Sequence, residues 1–296
     1  MSTERELAAA LVAAGYGAEV IDSRILSGGC IHDVRRLTLA DGTMVVAKIN
    51  RADQYALFEE EAASLRALAA TGTVLVPEVL SVVREGPVAV LFLAALEPCP
   101  AGPDQWRRFG EELARLHAAD PPCAYGFESG NHLGTTPQPN AWCDDWVQFN
   151  AEHRLGHQLA LAAGRDLLAA DEAQSIERVI NRLESLIPRR PRPALLHGDL
   201  WSGNALATED EHGNARIALL DPACSYGDGW ADIAMMKLFG GFPQECFDAY
   251  AAHVPAPPQL ETRITVYQLY HVLNHINLFG RTYVAQALQL AHRLKR

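Results

Sequence analysis

The sequence predicts an α+β chain in which a small antiparallel β-rich lobe precedes a larger, mostly helical lobe. Three observations predict it. Apolar runs of strand length, separated by turn signals, fill residues 23–50 and 74–96, with one helical pattern between them. A Pro/Gly-punctuated stretch, "EPCPAGP" (97–103), then interrupts the chain. Beyond it, apolar residues recur mainly at helical spacing. The expected lobes are therefore residues 1–96 and 97–296.

Each element follows from local pattern. Residues 4–14 have the spacing of a short amphipathic helix. "SRILSGGCIHDVRRLTLADGTMVVAKIN" (23–50) reads as strand, glycine loop, strand, turn, strand. Its Asp-Gly dipeptide between apolar runs is a hairpin signal. "DQYALFEEEAASLRALAA" (53–70) predicts a helix with Asp53 as its N-cap. "VLVPEVLSVV" and "PVAVLFLAAL", split by "REG", predict a second strand pair. Helical patterns then cover 104–119, 141–164, 171–187, 229–239, 244–252 and 259–293. The strand-like break among them is 194–224, where short strand-like pieces flank two aspartates.

Composition narrows the class. The chain has 296 residues, 49% of them hydrophobic and 21% charged, as in ordinary globular proteins. Its formal net charge of −11, with no Lys/Arg-rich run, argues against nucleic acid as a partner, because an acidic chain repels phosphate backbones. No apolar stretch approaches the ~20 residues that span a bilayer. The N-terminus has a helical rather than a signal-peptide pattern. The six cysteines are scattered with no CxxC pair, so the expectation is a reducing cytoplasm without a disulfide framework or zinc site.

Several residues stand out chemically. Lys48 falls on an apolar strand, on the same face as Met44 and Val46. A lysine there either snorkels to water from an edge or needs an anionic partner, since an unpaired buried ammonium costs several kcal/mol. In the following helix Glu61 lies three beyond Phe58 and four before Leu65, on the buried face. Glu59 and Glu60 read as solvated, so Glu61 is the expected partner of Lys48. Within "SGGCIH" (27–32), the adjacent Gly28 and Gly29 allow backbone N–H groups to approach a phosphate, although such a pair also serves plain turns.

The strongest signal is His197-Gly198-Asp199-(x4)-Asn204, followed by Asp221 at the end of an apolar run. Asp and Asn oxygens suit Mg²⁺, a hard cation. Phosphoryl transfer needs groups that hold the metal and a carboxylate that receives the proton of the attacking hydroxyl. The protein-kinase catalytic loop has this H-x-D-x-x-x-x-N spacing, with a metal-binding aspartate after it. A two-lobed protein-kinase-like fold is the expected architecture. His197 is expected to orient the loop. Trp201 reads equally as a substrate-facing aromatic and as a core residue.

"HGDLWSGN", "DPACSYGD", "DIAMMKLFGGFP" and "LYHVLNHINLFGRTY" closely resemble the fructosamine kinase (ketosamine kinase) family, a branch of the aminoglycoside phosphotransferase-like small-molecule kinases. "GGCI", "AKIN", "FEEEAASLRAL", "RLH" and "QPNAWCDDWVQF" extend the likeness to about residues 20–285. The resemblance implies an N-terminal nucleotide-binding lobe and a C-terminal catalytic and substrate-binding lobe. It implies Asp199 as catalytic base and Asn204 and Asp221 as Mg²⁺ ligands. Lys48 and Glu61 would position the phosphates of ATP, with Gly28, Gly29, Cys30 and Ile31 covering them and Leu91 and Leu93 at the nucleotide. Trp201 and His197 would lie on the substrate side. The implied substrate is a ketosamine, free or protein-bound, whose phosphorylated product breaks down and releases the amine. A cysteine at position 30 implies redox coupling of subunits or a small inert residue.

Two positions depart from the family pattern. Phe92 stands where an acidic residue usually follows the apolar run, and Gly229 and Trp230 intervene before Asp232. The alternative substrates are an aminoglycoside, choline or another sugar; a nucleotide-binding pseudokinase is the non-enzymatic alternative. The expected enzyme is cytoplasmic, a monomer or homodimer, with no membrane partner.

Overall fold

The computed structural model describes every residue except 1, 18, 27–31, 121, 211 and 296, and every side chain among these except those of 2–5. Contacts divide the chain into two compact units, Met1–Gln105 with Ala205–Asp221, and Trp106–Asn204 with Pro222–Arg296.

The first unit opens with helix α1 (Ser2–Ala13) and strands β1 (Val20–Ile25), β2 (Asp33–Leu39) and β3 (Met44–Arg51). Helix α2 (Tyr55–Ala70) and strands β4 (Val79–Glu85) and β5 (Val88–Ala94) follow. The five strands form one antiparallel sheet in the order β1-β2-β3-β5-β4. Strand β5, "VAVLFLA", is buried along almost its whole length, and its side chains divide by parity. Val88, Val90 and Phe92 join Leu7 and Leu11 of α1, together with Leu37, Ala47 and Ile49. Ala89, Leu91 and Leu93 join Phe58, Ala62 and Leu65 of α2. Each such buried Leu or Phe contributes about 1.5–3 kcal/mol of hydrophobic stabilisation. The same parity acts on β3. Val45, Ala47 and Ile49 face the α1 side, whereas Val46 packs with the α2 cluster. Lys48 must therefore face α2.

Asp53 does not cap α2. It sits in a short 3₁₀ turn (Ala52–Gln54), its carboxylate pairs with Arg51 at 2.7 Å, and Gln54 occupies the N-cap without a side-chain bond.

The second unit begins with helix α3 (Pro103–Ala118) for most of its length, then the small hairpin β6 (Asn131–Leu133) and β7 (Thr136–Gln138). The helical pattern at 141–164 starts later than expected. Asp145 accepts the N–H groups of Val147 and Gln148 and caps α4 (Trp146–Phe149). A π-helical turn (Asn150–Leu155) and α5 (Gly156–Gly164) continue it. Helices α6 (Ala170–Ile180) and α7 (Leu183–Leu186) and strand β8 (Pro193–Leu196) lead to the His197–Asn204 loop.

The chain then returns to the first unit as the antiparallel hairpin β9 (Ala205–Glu209) and β10 (Ala215–Leu219). Strand β11 (Ser225–Asp228) pairs with β8 in the second unit, followed by α8 (Trp230–Phe239) and α9 (Gln244–His253). The long apolar pattern at 259–293 is two helices, α10 (Leu260–Phe279) and α11 (Val284–Arg293), because Gly280 adopts φ 80° and ends the first. α10 is the buried axis of this unit; Val266, Leu269, Val272, Leu273 and Ile276 are completely inaccessible. Among the described residues no helix is long and apolar enough to cross a membrane.

Candidate active site

Lys48, Glu61 and Asp221 meet in the first unit. Lys48 Nζ donates to Glu61 Oε1 at 2.6 Å and to Asp221 Oδ1 at 2.5 Å. The Lys48 and Glu61 side chains are 6% and 12% exposed, whereas that of Asp221 is 49% exposed. Burial works against the charge on Lys48, but the two carboxylates outweigh it and push the ammonium well above the ordinary lysine range. Burial pushes the Glu61 carboxyl upward while Lys48 pulls it down. Two carboxylates around one nearly dry ammonium keep that lysine charged. Asp221 has φ 54°, left-handed backbone that few residues other than glycine adopt. Such backbone strain recurs at functional sites. Nearby, burial and then Lys48 lower the His32 imidazole to about 4.

Leu91 pairs with Lys48 across the sheet, and both Leu91 and Leu93 belong to the core beneath α2. Their side chains are committed to packing. Gly28, Gly29, Cys30 and Ile31 lie outside the described residues.

The second unit builds the His197–Asn204 loop. Gly198 has φ 84°, and a Cβ there would lie 2.1 Å from the carbonyl oxygen of Ala223, so the loop closes only on glycine. His197 is fully buried. Its ring Nδ1 accepts the Asp199 N–H at 3.2 Å and its carbonyl accepts the Ala223 N–H at 2.8 Å. These bonds turn its side chain onto the loop backbone. Asn204 Nδ2 donates to the Asp199 carbonyl at 2.9 Å and to its Oδ2 at 3.3 Å. With the amide nitrogen bound to Asp199, Asn204 presents its oxygen elsewhere. An amide oxygen and an aspartate carboxylate are the hard donors Mg²⁺ takes, and that ion commonly uses only one or two protein ligands plus phosphate oxygens. The donor set thus fits Mg²⁺. Trp201 is 38% exposed. Its ring lies over Gly203, where a Cβ would come within 2.2 Å of the indole.

Sequence reasoning left Asp232 without a role, yet it anchors this loop. Its Oδ2 accepts the N–H of His197 at 2.8 Å and its Oδ1 that of Gly198 at 2.9 Å. His117 Nε2 lies 3.2 Å from Oδ2, and Tyr250 Oη lies 2.9 Å from His117 Nδ1. Burial alone would raise the Asp232 carboxyl. The hydrogen bonds and charge of His117 and the Gly198 N–H overcome it and hold the group below the ordinary aspartate value. The available signal was an acid at the start of the apolar helix "DIAMMKLF".

A second network, also unforeseen, holds the segment after Asp221. Gln138 Nε2 and Asn131 Nδ2 donate to the carbonyls of Ala223 and Cys224 at 3.2 and 2.9 Å. Arg154, almost wholly buried, donates to Asn140 Oδ1, Ser225 Oγ and the Pro139 carbonyl at 2.7–3.0 Å. Its guanidinium stacks 4.4 Å from the centre of the Phe149 ring. Burial lowers it to about 10, still charged near neutrality.

A five-stranded antiparallel sheet with a lysine–glutamate pair, and a helical unit carrying the H-x-D-x-x-x-x-N loop, define a protein-kinase-like phosphotransferase. The fold matches crystal structures of "putative fructosamine-3-kinase" from two bacteria. That from Haemophilus somnus 129PT has TM-score 0.86 and 27% identity, covering 99% of this chain and 97% of that one. That from Thermobifida fusca YX-ER1 has TM-score 0.83 and 30% identity, covering 95% of each. Over 278 residues the sequence is 43% identical to a "Probable ketoamine kinase" of Synechocystis, covering 93% of this chain and 91% of the relative. Residues 5–296 match the fructosamine kinase family as a whole, and the chain belongs to that family.

Proposed function

We propose that the chain is an ATP-dependent ketosamine kinase, transferring the γ-phosphoryl group to a sugar hydroxyl of a fructosamine- or ribulosamine-type substrate. The observation that carries this reading is the Lys48 ammonium held between Glu61 and Asp221 in a member of the fructosamine kinase family. The lobe with Lys48 would bind nucleotide. Lys48, kept charged and aimed by Glu61, contacts the ATP phosphates. Residues 27–31 cover them, and Leu91 and Leu93 back the adenine side from the core.

Asp199 is the base. Its carboxylate takes the proton of the attacking hydroxyl, the hydroxyl oxygen bonds to the γ-phosphorus, and the bond to the β-phosphate oxygen breaks to release ADP. Asn204 and Asp221 are the residues that would hold Mg²⁺, which when bound neutralises charge on the transferring phosphate oxygens. These two residues lead into and out of the β9–β10 hairpin, whose paired ends are Ala205 and Leu219. That shared origin supports their acting together. Trp201 offers its exposed ring to the sugar–amine, and the buried His197 serves the substrate side by fixing the loop. The enzyme works in the cytoplasm as monomer or homodimer, and phosphorylation leads to release of the amine from the glycated compound.

The test is phosphoryl transfer from Mg-ATP to fructosyl-, ribulosyl- and erythrulosyl-lysine, with kanamycin and choline as controls. Turnover on at least one ketosamine, and a loss of orders of magnitude in Asp199→Asn with ATP binding preserved, is expected. Activity confined to the controls would refute the substrate class. An active Asp199→Asn enzyme would refute the base.

A further inference from the structure

The second unit contains a cavity of about 460 Å³ that the proposed chemistry leaves unused. Neither Asp199, Trp201 nor Asn204 lines it. The floor and walls are Ala114, Ala194, Trp230, Val254 and Pro255. The charged groups facing it are three arginines, Arg115, Arg192 and Arg263, and one carboxylate, Asp228. In a chain of net charge −11 this is a local excess of positive charge.

The carboxylate does not use up the arginines. Asp228 already accepts Tyr267 Oη at 2.7 Å and the Trp230 N–H at 3.2 Å, and Arg263 approaches it only to 3.6 Å. Arg192 spends one donor on the Ala118 carbonyl at 2.7 Å, and among the described residues Arg115 makes no ion pair. Guanidinium groups bind phosphate through paired N–H donors. The cavity also exceeds what a bare anion needs and falls within the range of small-molecule sites.

One wall leads to the catalytic loop. Tyr250 and His117 both line the cavity and hydrogen-bond each other, and His117 reaches Asp232, which holds the backbone of His197 and Gly198. A ligand packed on Tyr250 and Trp230 would hold this chain of bonds in its loop-forming arrangement.

We propose that this cavity is an effector site for a small phosphomonoester, whose binding raises turnover through Tyr250, His117 and Asp232. Three guanidinium groups against one aspartate leave two positive charges, matching the dianion of a phosphomonoester, and the apolar floor takes its organic body. The effect on turnover rests on the kinase reading above, but binding does not, so the two fail separately.

Calorimetric titration of the whole protein with glucose 6-phosphate, with and without saturating non-hydrolysable ATP analogue, tests the site. We expect one equivalent to bind in both conditions, at least tenfold more tightly than inorganic phosphate. In the kinase assay the same ligand should raise kcat at least threefold. In the Arg115→Gln/Arg192→Gln double variant both effects should be lost while kcat without ligand is unchanged. Absence of binding, competition with the ATP analogue, equal affinity for inorganic phosphate, an unaltered or lowered kcat, or a double variant that still responds would each overturn the proposal.

Discussion

Asp232 Oδ2 accepts the backbone N–H of His197 at 2.8 Å, across 35 positions of sequence. The loop that carries Asp199 is thus held from beneath by a carboxylate that also binds the next N–H and a histidine. An isosteric amide keeps the shape but replaces one of the two accepting oxygens with an NH2 donor, which then faces a backbone N–H. Asp232→Asn should therefore lower kcat about 10–100-fold with little change in the KM for ATP, and should destabilise the protein by about 2–4 kcal/mol, as expected for breaking a buried charged network. Steady-state kinetics with thermal denaturation checks both. An unchanged kcat would remove Asp232 from loop positioning.

Lys48 and Glu61 form a nearly dry pair, so removing one partner strands the other. Lys48→Met should cost about 3–5 kcal/mol. The stranded Glu61 would carry a raised pKa in the folded variant. A raised carboxyl stabilises the fold at low pH and loses that contribution as pH rises through the folded value. The variant's deficit relative to wild type should therefore shrink on acidification from pH 7 to 5. Thermal midpoints of both proteins across that range decide it; a constant deficit would mean that Glu61 finds another partner.

His271 is buried on α10, and among the described residues its Nδ1 has no hydrogen-bond partner. Burial first, then the nearby His275, lowers it to about 3, despite the opposing Asp232 carboxylate. The folded protein keeps it neutral, whereas the unfolded chain protonates it below about 6.5. Its contribution is complete above that value and drains away as pH falls toward 3, by about 1.4 kcal/mol per pH unit. His271→Gln should flatten the acid side of the stability profile by one proton. A parallel profile in the variant would contradict the assignment.

Arg154 satisfies several acceptors from one planar group and stacks on Phe149. Lysine has three donors on a single nitrogen and no plane to stack. Arg154→Lys should destabilise by about 2–4 kcal/mol despite keeping the charge. It should also slow turnover, because Ser225 follows Asp221 closely in the chain. Denaturation midpoints and kcat together test this, and a near-neutral result would show that charge alone suffices.

Gly198→Ala places a methyl group against the Ala223 carbonyl on backbone with φ 84°. The left-handed conformation alone costs a β-carbon about 1–2 kcal/mol. The collision with main chain adds to it. The variant should be less stable than wild type by at least that amount and nearly inactive. Gly203→Ala places its methyl group within 2.2 Å of the far edge of the partly exposed Trp201 indole, a side chain rather than main chain, so the ring must shift. The variant should lose less stability than Gly198→Ala and raise the ketosamine KM.

The signals that could be read along the chain were local ones. Alternation on β3 and β5 follows from a two-residue repeat. The position of Glu61 between Phe58 and Leu65 follows from helical geometry. The spacing from His197 to Asn204 is contained in one loop. Local reasoning went astray where two neighbours competed for a part: Asp53 looked like a helix cap, but Arg51 claims its carboxylate and the helix starts later. The pattern at 259–293 hid a break at Gly280, because an apolar stripe does not record a change of axis.

The sequence by itself determined the family and the antiparallel sheet, and it located the lysine, glutamate, aspartate and asparagine proposed for the chemistry, since each rests on spacing within a single element or loop. Only the tertiary structure decided that Asp232 anchors the loop, that Arg154 locks the segment behind Asp221, and that three arginines share one cavity. Those partners lie tens to more than a hundred positions apart. Their meaning comes from desolvation: once water is excluded, each buried charge must find whichever donor or acceptor the packed chain brings to it, and no repeat in the sequence encodes that choice.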